Sequence, residues 1–156
     1  RDEVYMPNIT SGPSTSRAAT VQIPTEEELL AMPESDYMNA AQLGFFRERL
    51  EALRQELLDN ANSTSESLRE TDNVADPSDR ATIEEEQRLE LRTRDRERKL
   101  LQKVDQALAR VESGEYGWCE DTGEPIGLER LLARPTASLT LEAQERREAR
   151  QKLQEG

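Results

Sequence analysis

Two apolar seams decide most of what this chain can fold into. Leu43, Phe46, Leu50, Leu53 and Leu57 recur at 3-4-3-4 spacing, and Leu101, Val104, Leu108 and Val111 repeat that spacing far downstream. A heptad stripe of this kind is stable only when another helix covers it. Between the seams the pattern turns polar through Asn60, Ser63 and Thr64, with Leu68 isolated beyond them, and helix is expected to persist to about residue 72. Asp76-Pro77-Ser78-Asp79 then supplies helix-start chemistry. Asp76 suits the N-cap, Pro77 the first helical position, and Asp79 the positive end of the helix dipole. Gly114 suits the position just past the far end.

Folding the chain back near residue 75 brings the seams together, with Phe46 near Val104, Leu50 near Leu100 and Leu101, and Leu43 near Ala107. The expected fold is mainly α. It is built on a long antiparallel coiled-coil hairpin over residues 36–113, with its tip near 72–80. Arms of about 35 residues make it roughly 50 Å long. The tip half is polar, so charge pairs such as Glu84–Arg88, Glu90–Arg94 and Asp95–Lys99 are expected to support the helix there.

The flanks read differently. Residues 1–35 carry Pro7, Pro13, Pro24 and Pro33 among serines and threonines, which suits an extension that is largely disordered or loosely packed. Within it, Thr25 and Glu28 form a candidate capping box for one turn of helix before Pro33. Residues 114–139 are turn-rich, with Gly117, Gly123, Gly127 and Trp118, and a short helix over Ile126–Leu132 stopped by Pro135. Residues 140–156 read as a final charged helix.

Composition excludes several function classes. Only 34% of residues are hydrophobic and 4% aromatic, against 35% charged, which suits long solvated helices rather than a large core. No apolar run approaches the roughly 20 residues of a membrane span, and the N-terminus shows no signal-peptide pattern. The single cysteine, Cys119, excludes an internal disulfide framework and fits a reducing cytoplasm. A net charge of −12 opposes direct binding to duplex DNA, so any role with nucleic acid is expected to be indirect.

Three constellations carry chemistry. Tyr116–Gly127, YGWCEDTGEPIG, has the glycine-punctuated shape of half a zinc knuckle, but Thr122 stands where a second cysteine would, and the chain has no histidine. Asp76 and Asp79 at the hairpin tip are either a helix cap with an N3 acid or a pair able to share Mg²⁺. Arg92, Arg96, Lys99 and Lys103 follow 4-3-4 spacing and form one basic face in an acidic chain. That face is either a solvated flank or a contact for an anionic partner.

Taken in order, the tip D-P-S-D-R-A (76–81), the run R-T-R-D-R-E-R-K-L (92–100), the knuckle and A-R-P-T-A (133–137) resemble the DksA/TraR family. The resemblance covers roughly residues 36–150 and implies a transcription factor with no catalysis of its own. Such a factor enters the secondary channel of RNA polymerase, destabilises open promoter complexes and works with ppGpp in the stringent response, without binding DNA itself. It is expected to be cytoplasmic and monomeric. By resemblance, Asp76, Asp79 and Ala81 match tip positions. Arg92, Arg96 and Leu100 fall on the surface that meets the polymerase rim, and Lys103 and Arg134 match ppGpp-contacting positions. One further basic position falls on Gln144 here. The alternative is a Gre-like transcript cleavage factor whose tip carboxylates hold Mg²⁺.

The family's four zinc-ligand positions fall on Cys119, Thr122, Thr140 and Ala143, a set that implies a zinc-ribbon-like module without metal. Its loss requires compensation. Candidates are packing of Trp118, Ile126, Leu131, Leu132, Leu139 and Leu141 against the hairpin base, and an N-cap from Thr140. Cys119 is then expected to be a small, partly buried apolar side chain; neither a resolving cysteine nor an adjacent cation supports a redox role.

Overall fold

The computed structural model describes residues 22–70 and 77–155, apart from the side chains of 64–70 and 77–78. Helices dominate these residues: α1 (Glu26–Ala31), α2 (Ala40–Glu70), α3 (Pro77–Ser113), α4 (Leu128–Ala133) and α5 (Leu141–Glu155), with a 3-10 turn at Glu34–Asp36. No strand forms among the described residues, which hold only an isolated antiparallel bridge between Trp118 and Pro125. The chain divides into two compact units, Arg1–Phe45 and Phe46–Gly156, so the division falls inside α2.

In the first unit, residues 1–21 lie outside the described set, while residues 22–35 hold α1 and most of the 3-10 turn. The expected capping box is present: the Glu28 N–H donates to Thr25 Oγ1 at 3.2 Å, and the Thr25 N–H to Glu28 Oε1 at 2.9 Å. Leu29 on α1 is fully buried. Asn39 starts α2, accepting the Gln42 N–H at 2.9 Å. The Gln42 side chain turns back to take the Met38 N–H at 2.8 Å, which steadies the positive φ of that residue. Gly44 sits where an added Cβ would lie 3.2 Å from Ile23, so a larger residue would push on that contact.

In the second unit, α2 and α3 pair as an antiparallel hairpin. The helices have 31 and 37 residues, hence lengths of about 46 and 55 Å. Pro77 opens α3, as its fixed φ favours; Asp76, the expected cap, lies outside the described residues. Gly114 ends it with φ +84°. Of the seam residues, Phe46, Leu50, Leu57, Val104 and Val111 are buried, as is Ala107, while Leu53, Leu101 and Leu108 are partly buried.

The register differs from the expected one. Arg47 pairs with Glu112 at 2.8 Å, Arg54 with Asp105 at 2.8 Å, and the Asn60 amide donates to Glu97 at 3.3 Å. Phe46 therefore lies level with the end of α3 rather than with Val104, and its ring sits 5.6 Å from that of Tyr116. Leu50 likewise lies nearer Leu108 than Leu100 or Leu101. The displacement is about two helical turns, close to one heptad. The reason is that a heptad seam matches itself after a shift of seven, so periodicity identifies the seam but not the facing pairs. Among the expected charge pairs, Asp95–Lys99 forms at 3.2 Å, while Arg88 turns to Glu85 at 2.6 Å instead of Glu84.

Beyond α3 the chain forms a tight knuckle. The Cys119 N–H donates to Glu124 O and the Ile126 N–H to Gly117 O, both at 2.8 Å. Of the apolar side chains expected to brace this module, Ile126, Leu131 and Leu139 are buried, and Trp118 and Leu132 are partly buried. Leu141 is 55% exposed: it is the first residue of α5, and that helix turns Ala143 inward instead.

Candidate functional site

The basic face of α3 is present and exposed. Arg92, Arg96, Lys99 and Lys103 share one side of the helix, and Leu100 beside them is half-buried. Lys99 and Arg98 are drawn to Asp95, at 3.2 and 2.6 Å, and the Arg98 hydrogen bond, seconded by Lys99, holds the Asp95 carboxyl below its usual range. Arg92, Arg96 and Lys103 make no side-chain hydrogen bond or ion pair among the described residues. At the other end of α3, Asp79 and Ala81 are exposed near its first turn.

Lys103 also opens a second feature. A cleft of about 540 Å³ is lined by Lys103 and Arg110 of α3, Arg130 and Arg134 of and after α4, Ser138, and Gln144 of α5. Its walls are well fastened. Arg110 donates Nη2 to the carbonyls of Glu115 at 3.0 Å and Trp118 at 2.7 Å, and Nη1 to Glu120 at 3.2 Å. Arg130 Nε donates to Leu139 O at 2.8 Å. The buried Tyr116 donates its hydroxyl to Pro135 O at 2.7 Å, which fixes the turn just after Arg134. Gln144 spends its amide on Glu148 at 2.9 Å. The Arg134 guanidinium, like the Lys103 ammonium, has no partner among the described residues. Lys103 and Arg134, expected by resemblance to contact ppGpp, thus line one cleft together with Gln144, which stands where the resemblance implies a further basic residue. Arg110, Arg130 and Glu120 were not singled out from sequence. Only the basic last turn of α3 hints at Arg110, because cations favour the carbonyl end of a helix.

The knuckle is a third feature. Cys119 is buried and accepts the Thr140 N–H at 3.4 Å. Burial pushes the thiol up. Hydrogen bonds from the Thr122 hydroxyl, and from the backbone N–H groups of Thr140, Thr122 and Asp121, outweigh it and bring the thiol down to about 7. The side chain is thus more deeply buried than the partly buried one expected, and more polarised than a small apolar residue. The other three positions of the metal set offer two hydroxyls engaged in hydrogen bonds and one methyl group. Thr122 Oγ1 accepts the Glu124 N–H at 3.2 Å, Thr140 Oγ1 caps α5 at the Ala143 N–H at 3.2 Å, and Ala143 is fully buried and has no donor atom. No group of three or more metal-ligating side chains is placed to hold an ion among the described residues. These residues do not fit a zinc site.

Comparison with known proteins follows the same division. Residues 42–111 match the family model of the DnaK suppressor protein DksA, N-terminal domain. Residues 114–149 match the prokaryotic dksA/traR C4-type zinc finger. The chain is 54% identical over 121 residues to the RNA polymerase-binding transcription factor DksA of Caulobacter vibrioides, covering 77% of this chain and 85% of that protein. It is 44% identical over 143 residues to the protein of the same name from Escherichia coli K12, covering 91% and 95%. Among solved structures, transcription factor DksA2 from Pseudomonas aeruginosa matches with a TM-score of 0.74 and 49% identity, over 82% of this chain and 99% of that one. The fold and site define a hairpin protein with an attached knuckle module. The chain belongs to the DksA/TraR family.

Proposed function

We propose that the protein is a transcription factor that binds RNA polymerase, not an enzyme. In this reading the hairpin enters the secondary channel, and Arg92, Arg96 and Leu100 meet its rim. Asp76, Asp79 and Ala81 act near the active site and destabilise open promoter complexes, without direct contact to DNA. Lys103 and Arg134 contact ppGpp at the interface with the polymerase, and the knuckle works without zinc.

One observation carries the reading. In a chain of net charge −12, Lys103 and Arg134 come together in a single cleft and neither is neutralised by a carboxylate. Unpartnered cations on fastened walls suit a phosphate-rich ligand. Relatives named as RNA polymerase-binding transcription factors at 44–54% identity supply the partner. Transcription from a ribosomal promoter in vitro, with and without ppGpp, tests it. The factor should repress, and ppGpp should deepen the repression. Absence of repression at saturating factor would overturn the proposal.

A further inference from the structure

The cleft contains a second kind of group that the reading above does not use. Two carboxylates line it, Glu115 and Glu120. Glu115 accepts the Ser113 hydroxyl at 3.1 Å. Glu120 is the one whose cationic partner also lines the cleft: its Oε2 lies 3.2 Å from Arg110 Nη1, with the carboxylate side chain 44% exposed.

Arg110 itself is held independently of Glu120. Its Nη2 is fixed by two backbone carbonyls, and its side chain is only 17% exposed. Removing the Glu120 charge therefore leaves the guanidinium in place, with Nη1 turned toward the cleft. The Glu120 end of this pair is exposed at 44%, so water and salt reach the carboxylate and weaken its hold on Arg110. A ligand carrying several negative charges in a partly enclosed cleft competes well against a single carboxylate.

We propose that Glu120 is a specificity-determining residue of the cleft, an internal anion on Arg110 that an incoming nucleotide polyphosphate displaces, so that Arg110 joins Lys103, Arg130 and Arg134 as a fourth cation. The inference rests on the reading of the cleft as the ppGpp site. It also gives the cleft a further cation where Gln144 replaces one more basic position of the family pattern. Glu120 raises the threshold: a ligand of low charge gains too little from Arg110 to expel the carboxylate.

The test is a ppGpp titration of ribosomal-promoter repression by the full chain with RNA polymerase. It uses wild type, Glu120→Gln and Lys103→Ala. Glu120→Gln keeps an oxygen for Arg110 but loses the charge, so its half-maximal ppGpp concentration should fall about threefold. Lys103→Ala should raise it. A gain in sensitivity cannot arise from damage to the fold. If Lys103→Ala raises the value and Glu120→Gln leaves it unchanged or raises it, the proposal fails and the ppGpp reading stands. If neither variant moves it, both fail. If Glu120→Gln lowers by the same factor the amount of factor needed without ppGpp, the effect belongs to polymerase affinity and the proposal fails.

Discussion

Thr140 gives its backbone N–H to Cys119 Sγ at 3.4 Å while its own hydroxyl takes the N–H of Ala143 at 3.2 Å. One residue therefore joins the knuckle to α5 and caps that helix. Beside it, Arg147 of α5 makes two hydrogen bonds to Asp121 of the knuckle, at 2.6 and 3.1 Å, and the Arg147 bond holds the Asp121 carboxyl below its usual range. A zinc ion would tie these same two segments. Here a thiol, a hydroxyl and an ion pair do so.

The first expectation is indifference to metal. EDTA should leave the circular dichroism spectrum and the melting temperature unchanged, and purified protein should contain far less than one zinc per chain. Unfolding by chelator would refute a metal-free knuckle, since structural zinc contributes folding free energy directly.

A second expectation concerns pH. Hydrogen bonds hold the Cys119 thiol down at about 7 in the folded chain, below the ordinary range of a free thiol. A depressed acid adds stability that is complete above the unfolded value and disappears as pH falls through the folded one. Stability should therefore rise between pH 7 and 9, by on the order of 1–2 kcal/mol. Cys119→Ala should flatten that rise in urea titrations at each pH. An equally steep rise in the variant would show that another group titrates.

The register of the hairpin gives a third. Phe46 is fully buried and packs against Tyr116. Phe46→Ala should cost about 3–5 kcal/mol. A double-mutant cycle with Tyr116→Ala should show coupling of about 0.5–1.5 kcal/mol. Additive losses would favour the register one heptad away, in which Phe46 faces Val104.

The contrast between these residues shows where sequence is informative. Leu50, Leu57, Val104 and Val111 announce themselves because helical burial imposes a 3.6-residue period. Thr25 with Glu28, Pro77 and Gly114 are legible because caps depend on local chemistry. The Phe46–Tyr116 contact is not, because a seam tolerates a heptad slip. The polarised thiol of Cys119 is not, because most of the groups that polarise it are backbone N–H groups, which every residue type has. Arg110 and Glu120 meet only through the turn after α3, which no spacing rule foretells.

Gln144 yields a fourth expectation. Its side chain lines the cleft but is bonded to Glu148. Gln144→Lys adds a cation at the cleft wall, although Glu148 one turn on will share it. The half-maximal ppGpp concentration should fall by about twofold to threefold. A variant whose response is no stronger than wild type would place Gln144 outside the ligand's reach.

The tip gives the last. Asp79 is exposed in the first turn of α3, where its charge complements the helix dipole. Asp79→Asn keeps shape and hydrogen-bonding capacity and removes only the charge, so the cost to the helix should stay within about 1 kcal/mol. Arg92, Arg96 and Leu100, the residues proposed to meet the rim, lie more than a dozen positions further along the helix, hence about 20 Å or more from the tip. Polymerase binding should therefore survive while repression of a ribosomal promoter is lost. Both are measurable on one preparation, by competition for polymerase and by transcription in vitro. Normal repression by this variant would remove the tip charge from the mechanism. Shortening of the RNA 3′ end in backtracked complexes by the wild type would instead assign the tip carboxylates a cleavage role with Mg²⁺.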